Sequence, residues 1–115
     1  MDQAFGKIIR QARKDKGYSQ RALAKLLELD FTYLSKLENN RADYPPKEEI
    51  IRALADSLEL NPEELIFLAG RIPHNDEDLL KDNYKQMPML FRRLRENPEF
   101  AQKVFQEAMK LEEQD

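Results

Sequence analysis

Four side chains with distinct binding chemistry lie close together near the middle of the chain. They are Phe31, Thr32, Tyr33 and Lys36. Together they supply two aromatic rings, two hydroxyl groups and one ammonium group, and helical spacing directs them away from the apolar Leu34 and Leu37. Two aromatic rings are unusual on a merely solvated face, so we interpret this face as a surface that binds a partner. In the alternative interpretation, either ring is tucked into the core and Lys36 is only a solubilising charge.

Two short helices joined by a sharp turn are required to position this face. Ser19 and Asp30 each precede a helical pattern, and their side-chain oxygens can accept hydrogen bonds from the free amide groups of a first turn. The first of the two helices has a predicted apolar face made of Leu23, Leu26 and Leu27. The pattern then breaks at Glu28, so the second helix, residues 30–39, crosses the first. Proteins insert a helix into the major groove of DNA with this geometry.

The segment SQRALAKLLELDFTYLSKLEN, residues 19–39, resembles the helix-turn-helix of the lambda-repressor-like (Xre/Cro-type) transcriptional regulators. The resemblance runs from about residue 5 to residue 70 and includes KDKGYSQ before the motif and PKEEIIRALADSLELNPEEL after it. It implies an all-α fold, with a five-helix DNA-binding domain over residues 1–70 and a helical extension of about three short helices over residues 71–115. Two positions depart from the family pattern. Glu28 stands where the family usually has Gly, and Asn39-Asn40 replaces the common Arg-Gly.

The resemblance also implies a role for individual residues. Phe31, Thr32, Tyr33 and Lys36 are expected to contact base edges in the major groove. The residues expected to contact the DNA backbone are Ser19, Gln20, Arg21, Asn39, Asn40 and Arg41. Arg13 is expected to form an ion pair with Glu38 that ties the first helix to the third; the alternative is that both side chains are solvated. Such a protein is expected to be a repressor that binds a two-fold operator as a homodimer.

The distribution of charge is compatible with DNA binding, although the whole chain has a net charge of −3. Residues 1–41 contain nine Lys or Arg and five Asp or Glu, a balance of +4, whereas residues 42–115 contain ten and seventeen, a balance of −7. Attraction to phosphate is screened over about 8 Å at physiological salt, so a basic face can bind DNA while an acidic part points away.

The extension contains three prolines, Pro73, Pro88 and Pro98, which divide it into predicted helices over residues 76–86, 88–96 and 98–113. It carries a large supply of apolar residues, among them Leu79, Met89, Phe91, Phe105 and Met109. These residues either pack back on the five-helix core or bury against a second copy of the chain, and we favour the second copy. A third reading is an antitoxin or adaptor, in which residues 71–115 bind a partner protein.

The sequence gives little support for a secreted protein, a membrane protein, a metal-binding protein or an enzyme. The chain has no cysteine, no secretory signal pattern and no apolar run near the roughly 18 residues of a membrane span, so we expect a cytoplasmic protein without disulfides. The single histidine, His74, stands beside the acidic run 76–78, which a capped helix start explains better than a metal site. No catalytic triad spacing or phosphate-binding glycine loop occurs. We therefore expect no enzyme, no cofactor and no metal.

Overall fold

The computed structural model describes residues 3–114, and side chains for residues 4–110. The described part contains eight α-helices, one short 3-10 turn and no strand, which confirms the all-α prediction. The helices are α1 Gln3–Asp15, α2 Gln20–Leu26, α3 Phe31–Glu38, α4 Glu48–Leu58, α5 Pro62–Leu68, α6 Glu77–Asp82, α7 Met87–Glu96 and α8 Pro98–Gln114. The chain divides into two compact units, Met1–Asn75 and Asp76–Asp115, called here the N-terminal and C-terminal units. None of the described helices is long and apolar enough to cross a membrane.

One apolar core fills the N-terminal unit, and each of its five helices contributes to it. The fully buried side chains include Phe5, Ile9, Leu23, Leu34, Leu37, Ile51, Leu54 and Ile66. The predicted apolar face of α2 is only partly correct. Leu23 is buried and Leu27 is half-buried, but Leu26 is 54% exposed because it lies on the outer side of this short helix.

Side-chain caps fix where the two motif helices begin. The Ser19 hydroxyl accepts a hydrogen bond from the Ala22 amide at 3.0 Å, and an Asp30 carboxylate oxygen accepts from the Thr32 amide at 2.7 Å. These bonds satisfy amide groups that have no partner inside the helix. The start of α2 and α3 therefore follows from local sequence alone.

The turn between α2 and α3 places Glu28 in the left-handed region, at φ 56°. The Leu29 amide donates to the Ala24 carbonyl at 2.8 Å, which closes the end of α2 and redirects the chain. A residue with a Cβ is strained in this conformation, whereas glycine is not. Glu28 therefore occupies a conformation that glycine adopts without strain.

Helices α1 and α3 pack closely because Gly6 has no side chain. A Cβ atom at this position would lie 2.6 Å from the Glu38 carbonyl oxygen and 2.9 Å from the Leu37 carbonyl oxygen. Both neighbours are backbone atoms and cannot move aside cheaply. The packing of α3 against α1 therefore requires glycine here.

The N-terminal unit extends past Gly70 to Asn75, five residues beyond the domain limit expected from the resemblance. Arg71 donates hydrogen bonds to the carbonyls of Pro45 and Pro46, and Pro73 is fully buried. Farther on, the His74 amide donates to the Glu48 carboxylate at 2.7 Å. These bonds fasten the end of the unit to the connector between α3 and α4.

The C-terminal unit is built around α7 and α8, which pack against each other. Asn97 caps α8 by accepting from the Phe100 amide at 3.0 Å, and the Arg93 guanidinium lies 3.9 Å from the centre of the Phe100 ring. The first predicted helix of this region is too long, since α6 ends at Asp82 and a turn follows. No side chain described between residues 76 and 110 is buried.

Replacing Glu28 with glycine is expected to raise the free energy of unfolding by up to about 1 kcal/mol, because glycine adopts a positive φ without a Cβ clash. Chemical denaturation of the purified chain measures this change. As a control, Lys25→Gly within α2 should lower the free energy of unfolding by about 1 kcal/mol. If both substitutions lowered it equally, the backbone at Glu28 would not be strained.

Candidate nucleic-acid interface

Helix α3 presents one exposed ridge, because its opposite side is fixed in the core by Leu34 and Leu37. Successive residues of an α-helix are rotated by about 100°, so Thr32, Lys36 and Asn39 fall together on the outer side. All three are exposed. Two of the four residues predicted to read bases, Thr32 and Lys36, thus lie at the centre of this ridge.

Phe31 lies at one edge of the ridge and is only partly exposed. Its ring packs against the core, and the Arg21 guanidinium sits over it at 4.4 Å from the ring centre. The contact brings together a residue predicted to read bases and one predicted to hold the DNA backbone. A cation stacked on an aromatic face is held in a defined position, so Arg21 is directed to the same side as the ridge.

Tyr33 lies at the other edge and is also half-buried against the core. Burial raises the pKa of its hydroxyl above the ordinary value, and the positive charge of Arg71 offsets part of that rise. The hydroxyl therefore keeps its proton at neutral pH and can donate a hydrogen bond. Phe31 and Tyr33 flank the exposed ridge, so the alternative of a ring tucked inward holds in part for each.

Arg13 and Glu38 form a buried, two-pronged ion pair between α1 and α3. Arg13 Nε lies 2.7 Å from Glu38 Oε2, and Arg13 Nη2 lies 3.0 Å from Glu38 Oε1. The third guanidinium nitrogen, Nη1, donates to the Tyr18 carbonyl at 2.8 Å. The Glu38 side chain is fully shielded from solvent and that of Arg13 is 9% exposed. The geometry excludes the alternative of two solvated side chains.

Gln20 takes part in the same network. Its Nε2 donates to Glu38 Oε1 at 2.9 Å, so the amide group is held at the start of α2. Three nitrogen donors thus satisfy the buried Glu38 carboxylate. The expected contact of Gln20 with a DNA phosphate stays a prediction.

The other residues expected to hold the DNA backbone are distributed around the two ends of the motif. Ser19 and Arg21 are exposed at the start of α2, while Asn39 and Arg41 are exposed at the end of α3. Asn40, which is half-buried, has φ 57°, so it adopts the left-handed geometry that Gly supplies in the family pattern. Its Oδ1 is buried and has no hydrogen-bond partner among the described residues.

Sequence reasoning missed Ser35, which is half-exposed on the ridge between Phe31 and Asn39. The Asn39 amide nitrogen donates to the Ser35 carbonyl at 2.9 Å and lies 3.4 Å from its hydroxyl. Ser35 stands three residues after Thr32 and four before Asn39, and residues at this spacing lie on the same side of a helix. The sequence alone could therefore have placed Ser35 on the ridge.

Three exposed cations, Arg21, Lys36 and Arg41, lie in and around α3, and the exposed carboxylates of Glu28 and Asp30 precede the helix. In the part of the chain that the structure describes, Arg21, Lys36 and Arg41 form no ion pair, since the ion pairs join Arg13 to Glu38, Lys16 to Glu59 and Arg52 to Glu48. Cations without a carboxylate partner are available to a polyanion. No group of three or more His, Cys, Asp or Glu among the described residues could hold a metal ion.

Comparison with known proteins finds a family model, described as helix-turn-helix, that matches residues 9–65. A solved structure of SinR, the master regulator for biofilm formation, in complex with DNA is 31% identical; the match covers 54% of this chain and 97% of that chain, with a TM-score of 0.49. A SinR/SinI protein complex is 22% identical and has a TM-score of 0.51, and there the match covers 96% of this chain and 99% of that chain. No curated protein matches the sequence.

Glu38→Ala is expected to lower the free energy of unfolding by about 3–5 kcal/mol, because it leaves the buried Arg13 charge without its partner. Urea titration followed by circular dichroism measures the loss. The matched control is Lys16→Ala, which removes the more exposed ion pair with Glu59 and should cost less than about 1 kcal/mol. Similar small losses in both variants would show that the buried pair does not hold α1 to α3.

Proposed function

We propose, from the premise that the chain belongs to the helix-turn-helix family of lambda-repressor-like regulators, that it represses transcription by binding a specific double-stranded DNA operator. Helix α3 enters the major groove, and the protein at its operator blocks access to the promoter. The proposal requires no catalytic step and no cofactor. It assigns the protein to the cytoplasm.

The observation that carries this proposal is the exposed ridge of α3 between uncompensated cations. Thr32 and Lys36 are free to contact bases, and Arg21 and Arg41 stand at opposite ends of the motif. The one carboxylate of α3, Glu38, is buried and neutralised by Arg13. A helix with this arrangement attracts phosphate along its length while its polar side chains discriminate between base pairs.

Within this proposal, the side chains of α3 divide by position. Lys36 donates to base acceptors and Thr32 offers a hydroxyl and a methyl group. Phe31 and Tyr33 act from the edges, where a ring can contact a thymine methyl and the Tyr33 hydroxyl can donate. The residues proposed to hold the backbone are Ser19, Gln20, Arg21, Asn39, Asn40 and Arg41.

We also propose that the C-terminal unit joins two copies of the chain. Its helices leave large apolar side chains uncovered, and Leu79, Phe105 and Met109 are each about 60% exposed. Helix-turn-helix proteins commonly bind two half-sites one DNA turn apart, which a two-fold dimer matches. Burial of these side chains against a second copy removes apolar surface from water and supplies the association energy.

A second candidate function uses the same apolar surface. In an antitoxin or adaptor, residues 71–115 would bind a different protein, and SinR, whose fold resembles this chain's, occurs in a complex with the protein SinI. The two functions are compatible, because a partner that covers the C-terminal unit could control the dimer and with it the affinity for DNA.

Lys36→Ala is expected to weaken operator binding by about 1–3 kcal/mol, because it removes a donor to the bases. Arg41→Ala should weaken binding to all sequences alike and reduce the slope of log affinity against log salt by about 1. The operator is first selected from random duplex DNA, and affinities are then measured by fluorescence anisotropy at several salt concentrations.

Lys81→Ala is the matched control for both variants, since Lys81 is an exposed cation of α6 in the C-terminal unit. It should change neither affinity nor salt slope. Unchanged operator binding in both Lys36→Ala and Arg41→Ala would exclude α3 as the reading helix.

Phe105→Glu is expected to convert a dimer into a monomer at micromolar concentration, because a buried carboxylate in an apolar interface is costly. Sedimentation equilibrium of the full chain measures the mass. Lys103→Gln makes the same change of net charge at an exposed residue of the same helix that lies outside the groove lined by Phe105 and Met109, and it should leave the dimer intact. A monomeric mass for the unchanged protein, with and without operator DNA, would rule out self-association.

A further inference from the structure

A groove of about 500 Å³ opens in the N-terminal unit beside α3. Its walls come from the second edge of α3, the connector to α4, the first turns of α4 and the segment after α5. The residues on which the argument depends are Tyr33, Lys36, Tyr44, Lys47, Ile50 and Arg71. The volume is within the range of about 300–1,000 Å³ that is usual for small-molecule sites.

The lining of this groove is strongly cationic for so acidic a chain. Lys36, Lys47 and Arg71 face a single acid, Asp43. Neither lysine forms an ion pair in the part of the chain that the structure describes. The groove therefore has an excess of two positive charges available to an anion.

Arg71 is held in place by neutral partners. Its guanidinium donates to the carbonyl of Pro45 at 3.0 Å and to the carbonyl of Pro46, so it is fixed without losing its charge. A cation held by the backbone loses little conformational entropy when it binds a ligand, which favours a charge-assisted contact.

The groove also has surfaces suited to a flat ring. Tyr44 is 79% exposed at its rim, so its ring is open to a stacking partner. Tyr33, whose hydroxyl keeps its proton, and the half-buried Ile50 form the more sheltered side. Aromatic rings with adjacent cations favour a planar group that bears a negative charge.

We propose that this groove binds a free nucleoside monophosphate, and that the bound molecule competes with DNA. Competition follows because the ligand and the operator both require Lys36 and Tyr33, an argument that rests on the proposed function of α3. The ligand then acts as an inducer: at higher concentration it releases the operator by mass action.

A DNA phosphate is the other source of the same anionic chemistry. It would use Lys36, Lys47 and Arg71 but would leave the Tyr44 ring and the sheltered side formed by Ile50 without a planar partner. The two sources differ in a measurable way, because only a free ligand binds the groove when no DNA is present.

The first measurement is isothermal titration calorimetry of the full chain without DNA. The probes are the nucleotides AMP and UMP. Two fragments serve as controls: inorganic phosphate, which lacks the base, and adenosine, which lacks the charged phosphate. We expect at least one nucleotide to bind about tenfold more tightly than either fragment, because stacking and charge contacts act together. If neither nucleotide bound, or if phosphate bound equally well, the proposal would be overturned.

Two variants locate the bound nucleotide. Tyr44→Ala and Lys47→Ala should each weaken its binding by about five- to tenfold, the loss typical of one aromatic or charged contact. Tyr44 and Lys47 are both exposed, so neither substitution removes a buried group. Lys47 also makes no side-chain hydrogen bond that caps α4. The matched controls are Tyr84→Ala and Lys81→Ala in the C-terminal unit, which should bind as the unchanged protein does. Equal losses in variants and controls would contradict a site in the groove.

The second measurement is operator affinity with increasing nucleotide. The apparent Kd for DNA should rise with nucleotide concentration in the unchanged protein, and this rise should shift to about fivefold higher concentration in Tyr44→Ala. A nucleotide that binds without affecting DNA would overturn the competition. Operator binding without nucleotide is measured beforehand, so failure of the proposed DNA-binding function would be recognised separately.

Discussion

The buried ion pair between Arg13 and Glu38 is the interaction on which the DNA-binding geometry depends. A carboxylate fully shielded from water is costly unless every oxygen has a partner, and here Arg13 and Gln20 supply three donors. Because these donors come from α1 and α2 while Glu38 belongs to α3, satisfying one carboxylate fixes three helices together. The same bonds neutralise the negative charge of Glu38 beside the face that we propose to contact DNA. The pairing of Glu38 thus both holds three helices together and neutralises its own charge.

Close packing of α1 against α3 at Gly6 accompanies the ion pair between Arg13 and Glu38. Glycine lets α1 approach the carbonyls at the end of α3, so the ion pair forms across a short distance. With its inner side held by Leu34, Leu37 and Glu38, α3 has only one side left for solvent. The ridge is therefore a consequence of how firmly the opposite side is packed, and its side chains are presented on a rigid element, as specific recognition requires.

The two units differ in how completely they bury their apolar residues. The N-terminal unit has a closed core formed by five short helices, whereas no described side chain of the C-terminal unit is buried. Apolar surface of this extent on α6, α7 and α8 favours association with another surface. The groove beside α3 offers a third kind of surface, concave and cationic. DNA binding and small-molecule control would then share Tyr33 and Lys36, whereas assembly would use the C-terminal unit.

Local sequence determined the helices and their limits in the N-terminal unit, since caps such as Ser19 and Asp30 act on amide groups two or three residues away. The family resemblance, and not local sequence, marked Glu28 as a glycine position, where the left-handed turn occurs, and paired Arg13 with Glu38. Sequence could not determine how far Phe31 and Tyr33 turn toward the core, because that depends on the stacking of Arg21 on Phe31 and on the packing of both rings against the core. The attachment of Arg71 to the connector, and hence the groove, was likewise decided only by tertiary structure. Helical periodicity reports which side of a helix a residue occupies, but only the packing of distant segments sets how deeply its side chain is buried.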